Sequence, residues 1–428
     1  MTEALIAFAL VIGLSFFGIR IAFASLLVGF GGVVLTRGWN AGFTMVGQQV
    51  LDDAMNYNLS VIPLFVLMGV FIYRSGISTD LFKAAHLGLS KINGGLAHSA
   101  VLACAGFSSV CGSSLATAAT MSKVCIPPMS QYRYSKALSS GAVAAGGTLG
   151  IMIPPSVPLV IYGLIAQQDI ALLFLAGIIP GLLLILSFLA VIGIWVQVKG
   201  DIAPPLKPGE GPEGDWRALL SVVPVLGLFV LVLGGIYGRV FTPTEASGIG
   251  AVGAALIALM RGHLWNLRAW VEALTEAVST TASLFMVLFG ALVFLQYINL
   301  TGMPFDLLFW VEDMNLSPFM LVMMVVAIAL VMGTVFEAIG ILLLLVPVFL
   351  PALEAAGVDL IWFGIIVVLV IEMGLITPPI GMNVFVVRSI QKDIEIQKIF
   401  LGVLPFIAAM AVVLVLLLAF PGLLQVVL

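Results

Sequence analysis

Apolar runs long enough to cross a bilayer follow one another from residue 4 to residue 424, and this feature leaves the chain few ways to fold. Inside lipid every backbone N–H and C=O must find a partner within the protein, so such runs fold as helices. The sequence therefore reads as an all-α polytopic membrane protein. Charge agrees: 9% of the 428 residues are charged and 62% are hydrophobic, where a soluble domain keeps about a quarter charged. The three cysteines (Cys104, Cys111, Cys125) lie in apolar or small-residue sequence, act as small hydrophobes and make no metal or disulfide pattern. Lys and Arg are few and not clustered with aromatics, which speaks against a nucleic-acid partner. The opening is acidic at Glu3 and apolar at once, so the first run reads as a retained span, not a cleaved leader.

Ten full spans are expected near 3–18, 21–36, 59–74, 136–166, 171–198, 217–241, 243–260, 276–300, 359–390 and 399–424. Two further apolar regions, about 94–130 and 317–353, are interrupted by small or polar residues and read as re-entrant helical hairpins. A broken backbone at that depth has to lie inside protein or beside water. The competing layout turns each hairpin into two ordinary spans. With the N-terminus outside, all of the 17 Lys and Arg except Arg37 and Arg239 fall on the cytoplasmic side, as the positive-inside rule requires, and both termini are periplasmic. The stretches 40–58, 79–91 and 266–276 mix apolar and polar residues and read as interfacial helices. The Pro- and Gly-rich stretch 199–216 reads as a cytoplasmic linker between a first unit, 1–198, and a second, 217–428.

The second unit echoes the first. The motif G-x-x-x-P-P occurs at Gly150–Pro155 in the fourth span and again at Gly374–Pro379 in the ninth. Upstream of each stands a hairpin with a polar tip opened by glycine: 112–120 (GSSLATAAT) and 333–340 (GTVFEAIG). Five spans per unit is an odd number, so the second copy is inserted upside down. Such inverted-topology repeats build many secondary transporters. One hairpin then dips in from each side, and the tips meet near the midplane.

The breaks carry the chemistry. Two consecutive prolines open a helix, and a preceding glycine permits unusual backbone angles. Freed carbonyl oxygens are costly in lipid, and a hard cation such as sodium satisfies them. The tips add hydroxyls, Ser113, Ser114 and Thr117 in the first and Thr334 in the second. Half-helix N-termini after each break suit a carboxylate. Two repeats thus predict two cation sites flanking one anion site. Taken alone, one such motif is an ordinary proline kink and one Ser/Thr patch is ordinary helix packing; the pair in register is the stronger signal. Glu337 in the second tip and Glu372 before Gly374 are intramembrane carboxylates able to ligate a cation or take a proton, or else to pair internally or face a wet cavity. Glu245, in Thr242-Pro-Thr-Glu, reads as a helix cap.

The tip at Gly112–Thr117, the run at Gly147–Ser156 and the run at Gly374–Asn383 together resemble the large membrane subunit of TRAP transporters (tripartite ATP-independent periplasmic transporters). The resemblance covers essentially the whole chain. It implies a bacterial inner-membrane subunit with an ion-transporter-like fold, importing a carboxylate on a sodium gradient by an elevator movement of its hairpin domain. It also implies two partners: a small four-helix membrane subunit, docked beside the first, sixth and seventh spans, and a periplasmic substrate-binding protein. Sodium is the only metal implied, as a coupling ion, and no cofactor is. Carried over by position, the first sodium site uses Ser113, Ser114 and Thr117 with carbonyls near Gly150, Ile153 and Pro155. The second uses Gly333, Thr334, Gly374 and Thr377. The substrate carboxylate lies between, near Ser156 and Asn383. Ile380 stands where the first unit has Ser156, so the two sides differ in substrate contact. No arginine lies near either break to neutralise the carboxylate.

Two other functions compete. A stand-alone sodium-coupled dicarboxylate symporter needs no binding protein. An intramembrane enzyme needs a motif such as H-E-x-x-H or a Ser/His or Asp pair, and an ATPase needs G-x-x-x-x-G-K-[ST]; neither kind occurs, so the chain is not read as an enzyme.

Overall fold

The computed structural model describes residues 2–204 and 216–425, and among them every regular element is a helix. Up to residue 204 these are α1 (Thr2–Phe16), α2 (Ile21–Arg37), α3 (Trp39–Ala54), α4 (Val61–Arg74), α5 (Ile77–Leu89), α6 (Gly95–Cys111), α7 (Ser114–Gln131), α8 (Lys136–Met152), α9 (Val157–Ile165) and α10 (Ile170–Val198). The later ones are α11 (Trp216–Tyr237), α12 (Pro243–Met260), α13 (Leu267–Leu300), α14 (Met303–Asp313), α15 (Pro318–Gly333), α16 (Ala338–Ala355), α17 (Leu360–Gly374), α18 (Met382–Ile390), α19 (Ile396–Ala419) and α20 (Gly422–Gln425).

Seven of the described helices are long and apolar enough to cross a membrane, or eight if α8 and α9 count as one bent span. The expected ten spans thus come out shorter in places. α1 and α2, expected as full spans, have 15 and 17 residues; the expected span 359–390 is split into α17 and α18, of 15 and 9 residues. Outward faces stay apolar: Val230 on α11 is 68% exposed and Val415 on α19 is 62% exposed, side chains that a bilayer accepts.

Two expectations change. The stretch 266–276 is not a separate interfacial helix: it is the start of the unbroken 34-residue α13, whose N-cap Asn266 accepts from Ala269 N at 2.7 Å. The acidic stretch with Asp306, Glu312 and Asp313, left as a connection between the eighth span and the second hairpin by the span layout, contains α14, packed on α16. The arms at 40–58 and 79–91 form α3 and α5. Thr242 and Glu245 do cap α12: Glu245 N donates to Thr242 Oγ1 at 3.2 Å, and Thr242 N donates to Glu245 Oε2 at 2.8 Å. Of the linker, residues 205–215, with Pro205, Lys207, Pro208 and Pro212, lie outside the described residues. Its first residues dock on α8, where Ser135 N donates to Ile202 O at 2.8 Å.

Small residues decide which helices meet. α2 packs along α13 where Gly29 faces the backbone of Phe294 and Gly290 faces Ala22. α8 packs along α19 through Gly141 and Gly402, and along α6 through Gly146 and Gly150. α4 lies on α12, and α17 on α15 and α10. Without a hydrophobic drive between helices in lipid, backbone approach of this kind supplies the dispersion contacts that hold them.

Candidate functional site

The first hairpin turns at Gly112 and Ser113. Gly112 takes φ +63°, a left-handed angle that glycine enters without a Cβ clash. Ser113 caps α7, its Oγ accepting from Ala116 N at 3.3 Å. The break is thus shorter than the expected tip at 112–120, because Ser114 and Thr117 already belong to the first turns of α7. Both are buried. Ser114 Oγ donates to Glu372 Oε2 on α17 at 2.8 Å, tying this tip to the second broken span. Thr117 Oγ1 has no partner among the described residues.

The second hairpin breaks between Gly333 and Ala338. Thr334 Oγ1 donates to Val331 O at 2.8 Å, and Thr334 O accepts from Gly381 N at 3.2 Å, which holds this tip to the second break. Glu337 stands at the N-cap of α16 without capping it.

α8 ends at Met152 and α9 leaves it bent by 42°. Ile153, Pro154 and Pro155 fill the break, and Ser156 caps α9, accepting from Leu159 N at 3.4 Å. The second break is longer: α17 ends at Gly374 and α18 starts after Gly381, which takes φ +62°. Both Pro–Pro bonds are cis. Thr377 Oγ1 donates to Met373 O at 2.7 Å. Asn383 is fully buried: its N donates to Leu375 O at 3.0 Å, its Nδ2 donates to Ala144 O at 3.2 Å, and its Oδ1 has no partner among the described residues.

From the sequence Gly150 and Gly374 are expected to take unusual backbone angles, but neither has a positive φ. They allow close approach. Gly150 faces Ser108 on α6 and Gly374 faces Gly333 on α15, so each motif glycine marks where a hairpin's first arm crosses a broken span.

Both tips line one cavity of about 310 Å³. Ser113 and Ser114 face it from the first tip, Glu337 from the second, and Val157 and Leu375 from the ends of the two breaks. Tyr73 of α4 and Glu276 and Thr280 of α13 close the other side. Ser156 and Asn383, expected beside the substrate, are not among its lining residues. Glu276 and Thr280 escaped the sequence reading, although Ser279, Thr280 and Thr281 stand out as hydroxyls in an apolar helix. Among the described residues no Lys or Arg lines the cavity. Arg74, at its edge, is committed to Glu276 at 2.9 Å and Glu272 at 3.2 Å.

The donor set is hydroxyl, amide, carboxylate and carbonyl oxygen, which suits hard cations. Among the described residues Thr117 Oγ1, Glu372 Oε1 and Asn383 Oδ1 are buried without partners, and buried polar atoms left so are rare. This set of oxygens fits a hard cation such as sodium.

Residues 3–423 match the family described as tripartite ATP-independent periplasmic transporter, DctM component. The chain belongs to the TRAP large-subunit family. Among similar TRAP large subunits, the C4-dicarboxylate TRAP transporter large permease protein DctM of Pseudomonas aeruginosa is 36% identical over 343 residues, covering 80% of this chain and 79% of that protein. The sialic acid TRAP transporter large permease protein SiaM of Vibrio cholerae is 32% identical over 410 residues, covering 96% and 95%. The isethionate TRAP transporter permease protein DctMQ of Oleidesulfovibrio alaskensis is 32% identical over 373 residues, covering 86% of this chain and 58% of that protein. The fold also resembles two solved membrane proteins: the YdaH transporter of Alcanivorax borkumensis (TM-score 0.54, 15% identity, 89% of each chain) and MtrF of Neisseria gonorrhoeae (TM-score 0.59, 14% identity, 89% and 84%). At such identities the likeness concerns the fold alone.

Proposed function

We propose that this TRAP large subunit imports an organic acid on a sodium gradient, taking its substrate from a periplasmic binding protein. The observation that carries the reading is a cavity lined by both hairpin tips, with buried hydroxyls and, among the described residues, unpartnered oxygens near it. A carboxylate or other organic acid is the substrate class, in line with the C4-dicarboxylate, sialic acid and isethionate named for the relatives. Sodium ions supply the positive charge that no lining Lys or Arg provides. The first ion uses Ser113, Ser114 and Thr117 with the carbonyls of Gly150, Ile153 and Pro155. The second uses Gly333, Thr334, Gly374 and Thr377. Ser156 and Asn383 act from behind the cavity wall, fixing the half-helix ends that face the substrate.

The two units are inverted repeats. Packing supports this: α2 meets α13 as α4 meets α12, and α7 meets α18 as α16 meets α9. The hairpins and broken spans form the moving body of an elevator, against a scaffold that includes α2, α4, α12 and α13. A separate small membrane subunit completes the complex. The longer relative named DctMQ fits the same pair of subunits carried on one chain. The subunit lies in the bacterial inner membrane with both termini periplasmic.

The test is uptake of labelled organic acids into liposomes holding this chain and its small subunit, with and without a sodium gradient and a binding protein. Uptake that needs both supports the proposal. Uptake indifferent to the binding protein moves the reading to a stand-alone symporter, and uptake indifferent to sodium sinks the ion-coupled one.

A further inference from the structure

Glu372 lies two residues before Gly374 and is 1% exposed. Its Oε2 accepts the Ser114 hydroxyl at 2.8 Å, and its Oε1 has no partner among the described residues. α17 packs against α8, α9, α10, α15, α16 and α19. The charged residues within those helices and within α7, which carries Ser114, are Lys123, Lys136, Glu354 and Lys398; among the described residues none of them interacts with Glu372, and Ser114 is the group that does. A carboxyl deprived of both water and a counter-charge is far too costly to stand ionised alone, so it either carries a proton or holds a cation that is not a side chain.

A second, independent observation comes from α18. Asn383 is fully buried and its Oδ1 is unpartnered. Its amide end and the Ser114 carbonyl oxygen converge on Gly147 of α8, 3.2 Å and 3.1 Å from where a Cβ on that glycine would stand. Ser114 therefore stands between a half-satisfied carboxylate and a half-satisfied carboxamide. α7, α8, α17 and α18 meet at this point, two from each unit.

We propose that Glu372, Ser114 and Asn383 form a buried sodium site that clamps the first hairpin tip onto the second broken span. The inference rests on reading Ser114 as a sodium contact and gives that ion a fully charged ligand from the other unit. A neutral set of hydroxyls and carbonyls leaves a bound cation's charge uncompensated; Glu372 cancels it. The filled site is then net neutral, which suits a body that must cross apolar surroundings. Emptying it removes the charge that holds the carboxylate ionised and loosens the tip.

The experiment is equilibrium binding of radioactive sodium to the purified full chain in lipid nanodiscs, with choline as the replacement cation, alongside the sodium-dependent rise in melting temperature. The variants are Glu372→Gln, which keeps the size and the acceptor for Ser114, Glu372→Asp, and Thr377→Ala at the second break. Glu372→Gln is expected to bind one sodium fewer per chain and to lose part of its sodium-dependent thermal shift. Thr377→Ala is expected to keep the Glu372-dependent ion. Glu372→Asp is expected to keep the ion with affinity lowered about tenfold, which is ~1.4 kcal/mol. If Glu372→Gln does not insert, Asn383→Ser reads the same site through weakened sodium binding. Unchanged sodium number and affinity in Glu372→Gln overturns the site while leaving sodium-driven uptake standing. A wild-type chain that binds no sodium overturns both.

Discussion

Replacing Gly374 by alanine places a methyl group 2.5 Å from Gly333 Cα and 2.6 Å from its carbonyl carbon. Both are backbone atoms, so no side chain can rotate away. α15 and α17 must separate, and overpacking of this kind costs about 1–3 kcal/mol. Alanine's better helix propensity returns up to about 1 kcal/mol. The contact is backbone to backbone, so the cost falls near the upper end and the net loss is about 2 kcal/mol, close to thirtyfold in the folding equilibrium. Gly13, on α1, has nothing within 4 Å of its Cβ position. Gly13→Ala is therefore expected to be neutral or slightly stabilising, so one substitution at two helical glycines gives opposite signs. Steric-trap unfolding in bicelles measures both. If Gly374→Ala is as stable as Gly13→Ala, the close approach of the second hairpin to its broken span is not what holds it there.

Other substitutions test separate contacts. Thr117→Val removes a buried hydroxyl whose neighbour of hydrogen-bonding type is only the weak Cys111 thiol among the described residues, so melting without sodium is expected to change little; if that hydroxyl binds sodium, sodium affinity falls in the same variant. Arg261→Ala removes the guanidinium's bonds to Asp80 and to the carbonyls of Ser75 and Ser221, at 2.8 Å and 3.2 Å for the two carbonyls. Because the pair is about one-fifth exposed, a loss of about 1–3 kcal/mol is expected, short of a fully buried ion pair; an unchanged melting curve would refute the bridge. Lys136 beside Asp393 holds that exposed carboxyl below its usual range. A lowered folded-state value contributes stability above the unfolded-state range of aspartate and loses it as pH falls through the folded value. Lys136→Met is thus expected to cost less than about 1 kcal/mol near neutral pH and progressively less in acid, read by melting across pH.

Much of this architecture can be read from punctuation. Gly112, Gly333 and the two Pro–Pro pairs interrupt apolar sequence strongly enough to place both hairpins and both breaks. Asn266–Glu276 misleads because its polar residues resemble a surface helix, while the continuous hydrogen-bonded backbone of α13 leaves no mark in composition. α14 is hidden by Asp306, Glu312 and Asp313, which read as a loop although its Leu307 and Val311 are buried. The first tip looks longer in sequence than it is because Ser and Thr serve equally in a loop and in the first turn of a helix. The Ser114–Glu372 hydrogen bond joins residues 258 positions apart, and no local signal announces such a pair. A glycine before a double proline reads the same whether it bends the chain or admits a neighbour, so the role of Gly150 and Gly374 became legible only in the packing.

The glycine groove between α8 and α19 bears on how the molecule is made. Gly141 of α8 is filled by the backbone at Gly402 of α19, a helix that lies far later in the chain. This groove therefore closes only when two distant stretches of sequence are both in place, and the packing of α8 cannot be completed helix by helix in the order of synthesis.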